Sequence, residues 1–446
     1  MTDADANRPI LRRGDREETA AGNYFVANYP PFSFWQRDQV PAALDRLDRP
    51  PAAGASFGLY VHLPFCRKRC HFCYFRVYTD NDAQRVRRYV EAVLAELRLY
   101  VERAFIGGRR PLFVYFGGGT PSYLSVDQLR QLFEGMQELL PWDGVEEVTF
   151  EAEPGTLQEK KVRALRELGV TRLSLGVENY DPDILALNNR AHRAAEIDRA
   201  YAWARDAGFP QINIDLIAGM LGETDANWAE CVRRARAMQP ESITIYQMEI
   251  PYNTTIYRRM KEGQEEIAPV ADWRTKRRWV AEAFAQLEAD GYAIGSAYTA
   301  VRDRSVRFLY RDGLWHGADM LGLGVASFSH FDGIHAQNHH DLDPYVEAAE
   351  RGEIPLYRAL QLDPEERMIR ELVLQMKLGR VDTAYFHEKF GVDVKARFDD
   401  ALQRHAASGD LRADNGHLQL SRDALLRVDP ILHDFFLPRH RDARYA

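Results

Sequence analysis

From about residue 57 to residue 290, short apolar runs alternate with longer amphipathic stretches, and this alternation restricts the fold more than any other feature of the chain. The strand candidates are residues 59–63, 112–116, 148–151, 172–175, 212–217 and 243–246. Helical spacing occupies 86–101, 126–139, 157–168, 194–207, 225–238 and 272–290. Each strand is thus followed by a helix long enough to return the chain to the same edge. Six such units predict a parallel sheet, either an open wound sheet or a barrel. In a barrel, chemistry collects at the C-terminal ends of the strands. Three features fall there: a cysteine cluster after strand one, a glycine run after strand two, and Glu151 at the end of strand three.

The flanks divide the remainder. Residues 1–50 are polar and then aromatic, with Pro30-Pro31 opposing regular structure. So many aromatics need a surface to cover, which predicts an extended N-terminal arm, lying either over the active-site mouth or over exposed core. Residues 51–300 form the barrel, and 301–360 form a connecting region rich in glycine and aromatics. Residues 361–446 return to helix, with a polar hairpin near 409–420, as in a small helical or winged-helix-like domain. The hydrophobic share of 46% and charged share of 28% are those of a globular protein. A net charge of -8 argues against a general nucleic-acid binder. No apolar run reaches the length of a membrane span, and the N-terminus lacks a signal-peptide core, so a cytoplasmic location is expected.

Three of the four cysteines lie within eight residues, Cys66-Arg-Lys-Arg-Cys70-His-Phe-Cys73. This spacing offers three thiolates and no fourth. A closed structural zinc site takes four ligands, so zinc would need His62 or His71 as well. An iron–sulfur cluster held by three cysteines keeps one iron open. An odd cluster does not make a disulfide framework. Cys231 falls in an amphipathic helix and reads as a small buried residue.

The lead-in Tyr60-Val-His-Leu-Pro-Phe-Cys66, the triplet and the exit Tyr74-Phe75 resemble the radical S-adenosylmethionine (SAM) superfamily, and within it the oxygen-independent coproporphyrinogen III oxidase-like group. The resemblance extends over roughly residues 20 to 440. It implies a partial (β/α)6 TIM-like barrel, open on one side, and a 4Fe-4S cluster on Cys66, Cys70 and Cys73. SAM would bind the open iron and be cleaved to a 5′-deoxyadenosyl radical. By the same resemblance Gly118, Gly119 and Thr120 of the glycine run, Glu151, Glu178, Arg190 and Asp215 hold SAM. An Arg190–Asp215 salt bridge is the structural alternative for that pair. Tyr60 and Phe72 are implied cofactor contacts too. Met248 and Phe328 align loosely with positions lining a second SAM. Glu153 reads as a surface residue. His62, His71 and His330 are either proton carriers or packing residues.

The chain also departs from the oxidases. They carry Gly-Cys where Tyr74-Phe75 stands, and glutamine at Glu178. They have a Phe-Gln pair that 308–311 lacks, and Gly-Leu-Pro-Gly where this chain has Gly219-Met-Leu-Gly222. These changes spare the first SAM site and touch the second site and the substrate region. The reaction expected first is methyl or methylene transfer, including cyclopropanation, from a second SAM to an sp2 carbon of an aromatic or conjugated small molecule. Coproporphyrinogen decarboxylation or other tetrapyrrole work is the alternative, with Arg302, Arg304, Arg307 and Arg311 either meeting propionates or forming a solvated loop. A haem chaperone is the non-enzymatic reading. A flavodoxin or ferredoxin is the implied electron donor, for which Lys68 and Arg69 are docking candidates.

Overall fold

The computed structural model describes residues 19, 22, 25–261, 269–414, 416–441 and 443. Of the expected arm, residues 1–18, 20, 21, 23 and 24, and with them Asn23 and Tyr24, lie outside the described residues. All six strand candidates are present: β1 (Phe57–Leu63), β2 (Phe113–Gly118), β3 (Glu147–Ala152), β4 (Arg172–Glu178), β5 (Gln211–Ala218) and β6 (Ser242–Gln247). They pair in chain order and all in parallel. Being buried on both faces, they read in sequence as apolar runs rather than alternating ones.

The crossover helices begin where side chains can cap them. Ser125 and Gln128 form a capping box for Val126–Leu139, while Thr224 caps Asp225–Met238 and Asp272 caps Trp273–Ala289. Such caps satisfy amide groups that no turn of helix precedes.

The sheet does not stop at six strands. β7 (Ala293–Ile294) and β8 (Thr299–Val301) add to β6, and β9 (Asp319–Leu323) lies parallel to β1. β10 (Phe328–Phe331), β11 (Ile334–Asn338) and β12 (Leu356–Gln361) extend that edge in antiparallel fashion. The order is β12-β11-β10-β9-β1-β2-β3-β4-β5-β6-β8-β7, an open sheet and hence a partial barrel. The region expected as a connector, 301–360, therefore contributes four further strands to the sheet. Its strands are three to six residues long and broken by glycines, too short to show a period of two.

The described parts of the N-terminal arm touch the sheet at its β12 edge and beyond the end of β6. Gly22 bridges Ile250 just beyond β6, and Gln36 bridges Ala359 on β12. Between them, Val26 donates its N–H to Asp429 and Phe32 stacks on Phe328. Val26 and Tyr29 sit in the core of the C-terminal region. That region combines the helices Pro364–Met376, Thr383–Phe390 and Asp399–Ala407 with a three-stranded antiparallel sheet. Its strands β13 (Arg380–Asp382), β14 (Leu411–Asp414) and β15 (His417–Leu420) run in the order β13-β15-β14, a wing. Leu426 accepts from Gln247 at the end of β6, which brings the wing domain to the mouth of the barrel. Among the described residues no helix is long and apolar enough to cross a membrane.

Candidate active site at the mouth of the barrel

The cysteine loop leaves β1 and is pinned by backbone and amide bonds on every side. Cys66 donates its N–H to Tyr78, Tyr78 donates to Pro64, and His71 donates to Asn188. The Asn189 amide donates to the Arg69 carbonyl, and Arg69 itself donates to the carbonyls of Cys73 and Asn253. The Thr120 hydroxyl donates to Cys66 Sγ at 3.2 Å, and Arg190 Nη1 to Cys70 Sγ at 3.3 Å. Burial pushes the Cys66 thiol up to about 11 and Cys73 up to about 12, and the neighbouring thiols add to both shifts.

Among the described residues no three His, Cys, Asp or Glu side chains converge as the ligands of one metal ion. His62 faces Tyr60, and His71 Nδ1 lies 3.0 Å from the Leu187 carbonyl. Neither histidine meets a thiol in these contacts. Three grouped thiols beside a guanidinium and a hydroxyl suit a polynuclear cluster, whose positive charge would offset the cost of ionising buried thiols.

The glycine run is dictated by close packing. A side chain at Gly119 would meet the backbone of Leu63, Pro64 and Phe65, and Gly118, at φ +108°, faces the His62 ring. The amide donors of this loop are already spent. Gly118 N donates to Glu151 at 3.3 Å, Gly119 N to Leu63 and Thr120 N to Phe65. What the loop can offer a ligand is carbonyl oxygen, which suits an ammonium and not an anion.

Three carboxylates ring the mouth. Glu151 ends β3 and accepts from the Tyr115 hydroxyl and from Gly118. Glu178 ends β4 beyond a register shift, in left-handed backbone at φ +63°, a conformation costly for a residue with a side chain. Asp215 on β5 accepts from Ser174 at 2.8 Å and Asn213 at 2.9 Å. Burial raises Glu151 and Glu178 to about 7 and raises Asp215; Asp215 pushes both glutamates further up, and Glu151 does the same to Glu178. Two cations act on them: Arg190, 3.5 Å from Glu178, and Arg172, which draws Glu151 and Asp215 down. Arg190 meets Glu178 and Cys70 in place of the Asp215 bridge considered from sequence. Its Nε is buried with no hydrogen-bond partner. Acids short of cations beside an orphaned guanidinium donor match a ligand with a cationic and an anionic end, as SAM has.

The other expected contacts separate into three places. Phe72 packs against the apolar cluster that holds Met248, Ile217 and Met220. Phe328 lies under the arm, stacked on Phe32 at 4.5 Å and edge-on to Trp35. Tyr60 stands inside the barrel, its hydroxyl 3.1 Å from His62 Nδ1 and its ring stacked on Tyr115. His330 is buried against His335, also near the arm. Cys231 is buried and donates to Asn179, as a packing residue would.

Glu153 is not a surface residue. It is 7% exposed, paired with Arg67 at 3.0 Å and lies 3.3 Å from His192, because the turn after β3 folds it inward.

The arginine run lies at the opposite end of the barrel from the cysteines. Arg302 follows β8 and donates its N–H to Glu241, the residue before β6. Leu309 and Tyr310 donate their N–H groups to Glu147 at the start of β3. The segment containing Arg307 and Arg311 thus plugs the bottom of the barrel and cannot meet a substrate at the mouth.

Sequence reading missed Tyr115 and the lumen-facing role of Tyr74. Strand alternation from Gly117 would have pointed Tyr115 inward. Tyr74 keeps half its surface accessible, yet its hydroxyl is close enough to feel Glu151 and to raise Tyr60, Tyr310 and Tyr246. It therefore lines a lumen and not the outer surface.

The chain is similar to known proteins along most of its length. Residues 60–235 match the radical SAM superfamily model, and residues 362–427 match the HemN C-terminal domain. The oxygen-independent coproporphyrinogen III oxidase of Pseudomonas aeruginosa is 28% identical over 414 residues, covering 88% of this chain and 89% of its own. The heme chaperone HemW of Bacillus subtilis is 26% identical, covering 84% and 98%. The solved structure of the Escherichia coli coproporphyrinogen III oxidase HemN, itself a radical SAM enzyme, superposes with a TM-score of 0.80 at 24% identity, covering 92% of this chain and 96% of that one. The chain belongs to the radical SAM superfamily, takes a 4Fe-4S cluster and SAM as its cofactors, and carries a HemN C-terminal domain.

Proposed function

We propose that this enzyme transfers a methyl or methylene group, as a methylation or a cyclopropanation, from a second SAM to an sp2 carbon of an aromatic or conjugated small molecule. When bound, cluster and SAM supply a 5′-deoxyadenosyl radical that can abstract hydrogen. Cys66, Cys70 and Cys73 would hold the cluster. Glu151, Glu178 and the Gly118–Gly119 carbonyls would orient the cationic end of the first SAM. Arg190 Nε would take its carboxylate, and Asp215 its ribose hydroxyls. The second SAM is assigned to Tyr60, Phe72 and Met248, since Phe328 is occupied by the arm.

The observation that carries this reading is the position of the arginine run. The cations that could have held four propionates are at the bottom of the barrel, whereas the mouth is lined by acids and by Tyr74. The names of the relatives favour a second reading, oxidative decarboxylation of coproporphyrinogen or other tetrapyrrole chemistry. The HemW relative keeps haem binding as a third. A flavodoxin or ferredoxin in the cytoplasm is the proposed electron source. Lys68 is exposed and available to dock it, while Arg69 is engaged in bracing the cysteine loop.

The test is product analysis by mass spectrometry after anaerobic incubation with SAM and a strong reductant. Deoxyadenosine and S-adenosylhomocysteine rising together with substrate would support methyl or methylene transfer. Deoxyadenosine alone would move the assignment to decarboxylation. Neither product, with the cluster intact, would move it to haem binding.

A further inference from the structure

The cluster and SAM assignments leave one buried carboxylate without a task. Glu153, in the turn after β3, joins three segments of the mouth. Arg67, the residue after Cys66, donates from Nη2 to both Glu153 oxygens at 3.1 and 3.0 Å, and to the Ala191 carbonyl at 3.3 Å. Glu153 Oε1 also accepts from Gly155 N at 3.0 Å and lies 3.3 Å from His192 Nδ1. The same ring nitrogen lies 3.4 Å from Arg190 Nη2, while His192 Nε2 lies 3.2 Å from the Val177 carbonyl. Carboxylate and ring are both buried, so water cannot readily replace a partner that is lost.

The local sequence suits this junction. A β-carbon at Gly155 would stand 2.2 Å from Arg67 Nη2 and 2.9 Å from Glu153 Oε1. The other charged groups nearby are engaged. Glu196 accepts from the Arg193 N–H at the start of helix Ala194–Asp206, and Lys161 Nζ donates to the Ser122 and Thr156 carbonyls. Glu153 therefore ties the neighbour of Cys66 to the neighbours of Arg190. Arg190 in turn donates to Cys70 Sγ and to the Gly176 carbonyl, and its Nε is unbonded. A long side chain that must meet a ligand in one geometry binds better when its supports order it beforehand.

Resting on the assignment of Arg190 to the SAM carboxylate, we infer that Glu153 is a positioning residue for SAM. Through Arg67 and His192 it holds the cysteine loop and the Arg190 guanidinium at one fixed separation, without itself serving as a ligand. The test is equilibrium binding of SAM to cluster-loaded protein, anaerobically and without reductant, so that no turnover contributes. Glu153→Gln keeps the shape, removes the charge and should weaken binding by about tenfold. Arg67→Ala, at an exposed side chain, should weaken it by a similar factor. The double variant should bind about as well as either single one, because all three cut the same tie.

A spectroscopic signature accompanies the affinity. The change that SAM makes in the electron paramagnetic resonance signal of the reduced cluster should need about tenfold more SAM in both single variants, with iron content unchanged. A purely structural role would lower the melting temperature and leave SAM affinity within about twofold. That result, or full additivity in the double variant, would overturn the inference. If Glu153→Gln does not fold, Arg67→Ala decides between the same outcomes. Arg190→Ala separates this inference from the assignment beneath it. Unchanged SAM affinity in that variant would remove the role of Arg190, whereas a loss confined to it would remove only the role of Glu153.

Discussion

Glu147 and Glu151 stand four residues apart on β3, on the same face of the strand, and both point into the barrel. At the bottom, Glu147 accepts from the N–H groups of Leu309 and Tyr310 and from Thr149. At the mouth, Glu151 has Tyr115 and Gly118, with two further acids for neighbours and no cation in hydrogen-bond reach among its described contacts. Burial raises both, but Glu151 reaches about 7. The same residue on the same strand thus seals one end of the barrel and waits for a ligand at the other. What differs is how many donors the rest of the chain brings to it. The aromatic stack from Tyr310 through Tyr115 to Tyr60 fills the space between the two ends.

The largest separation of the two ends comes from the thiols. Replacing Cys66, Cys70 and Cys73 together with alanine should remove all cluster iron and SAM cleavage from anaerobically purified protein. The fold should survive, because the loop is held by backbone bonds that do not involve the sulfurs. Iron content, the electronic spectrum and a melting curve check this together. Retained iron would sink the cluster assignment.

Exchanging each glutamate tests the comparison directly. Glu151→Gln should weaken SAM binding by roughly 10- to 100-fold, as expected for a lost charged hydrogen-bond partner worth about 1.5–3 kcal/mol, with no loss of stability. Glu147→Gln should do the reverse, costing about 1–3 kcal/mol of stability by denaturant titration and leaving SAM affinity within about twofold. If both variants lose the same property, the two ends are not distinct.

Charge makes the mouth respond to pH. The folded-state value of Glu151, about 7, lies above its unfolded value. Between about pH 4.5 and 7 the folded, ligand-free protein therefore keeps a proton that the unfolded chain has released. Stability should fall as pH rises through that window, by roughly 1.4 kcal/mol per unit for one such acid. SAM affinity should run the other way and rise through pH 7 as Glu151 and Glu178 ionise to meet its cationic end. Equilibrium binding at pH 6 and pH 8 reads that slope, and a flat profile would dissociate the acids from the ligand.

How much of this was legible in the sequence follows from what each residue's neighbours contribute. β1 to β6 and their helices were legible almost to the residue, since buried parallel strands are apolar runs and Ser125, Thr224 and Asp272 mark helix starts. The cysteine triplet was legible because spacing alone carries ligand number. β9 to β12 were hidden, because strands of four to six residues set among glycines leave no period. The arginine run stood open between two readings for a different reason: a charge cluster carries no record of which end of a barrel it meets, and with Arg302, Arg304 and Arg307 exposed and Leu309 bonded to Glu147 it is the solvated loop. Glu153 looked like a surface acid until Arg67 and His192 closed over it.

Tyr115 gives the smallest and most specific test, because it belongs to both ends. Its ring packs on Tyr310 of the plug at 4.2 Å, while its hydroxyl donates to Glu151 at the mouth. That hydrogen bond is the largest influence holding Glu151 down against burial. Tyr115→Phe keeps the ring and removes only the donor. The carboxyl should then rise above about 7, and the pH midpoint of SAM binding should move upward by about one unit, since one unit corresponds to about 1.4 kcal/mol and the lost bond is of that size. Stability below the midpoint should change little, because the stack with Tyr310 and Tyr60 is intact. An unmoved midpoint would mean that Glu151 is not the group whose ionisation governs binding, and the contrast between the two glutamates would then be one of stability alone.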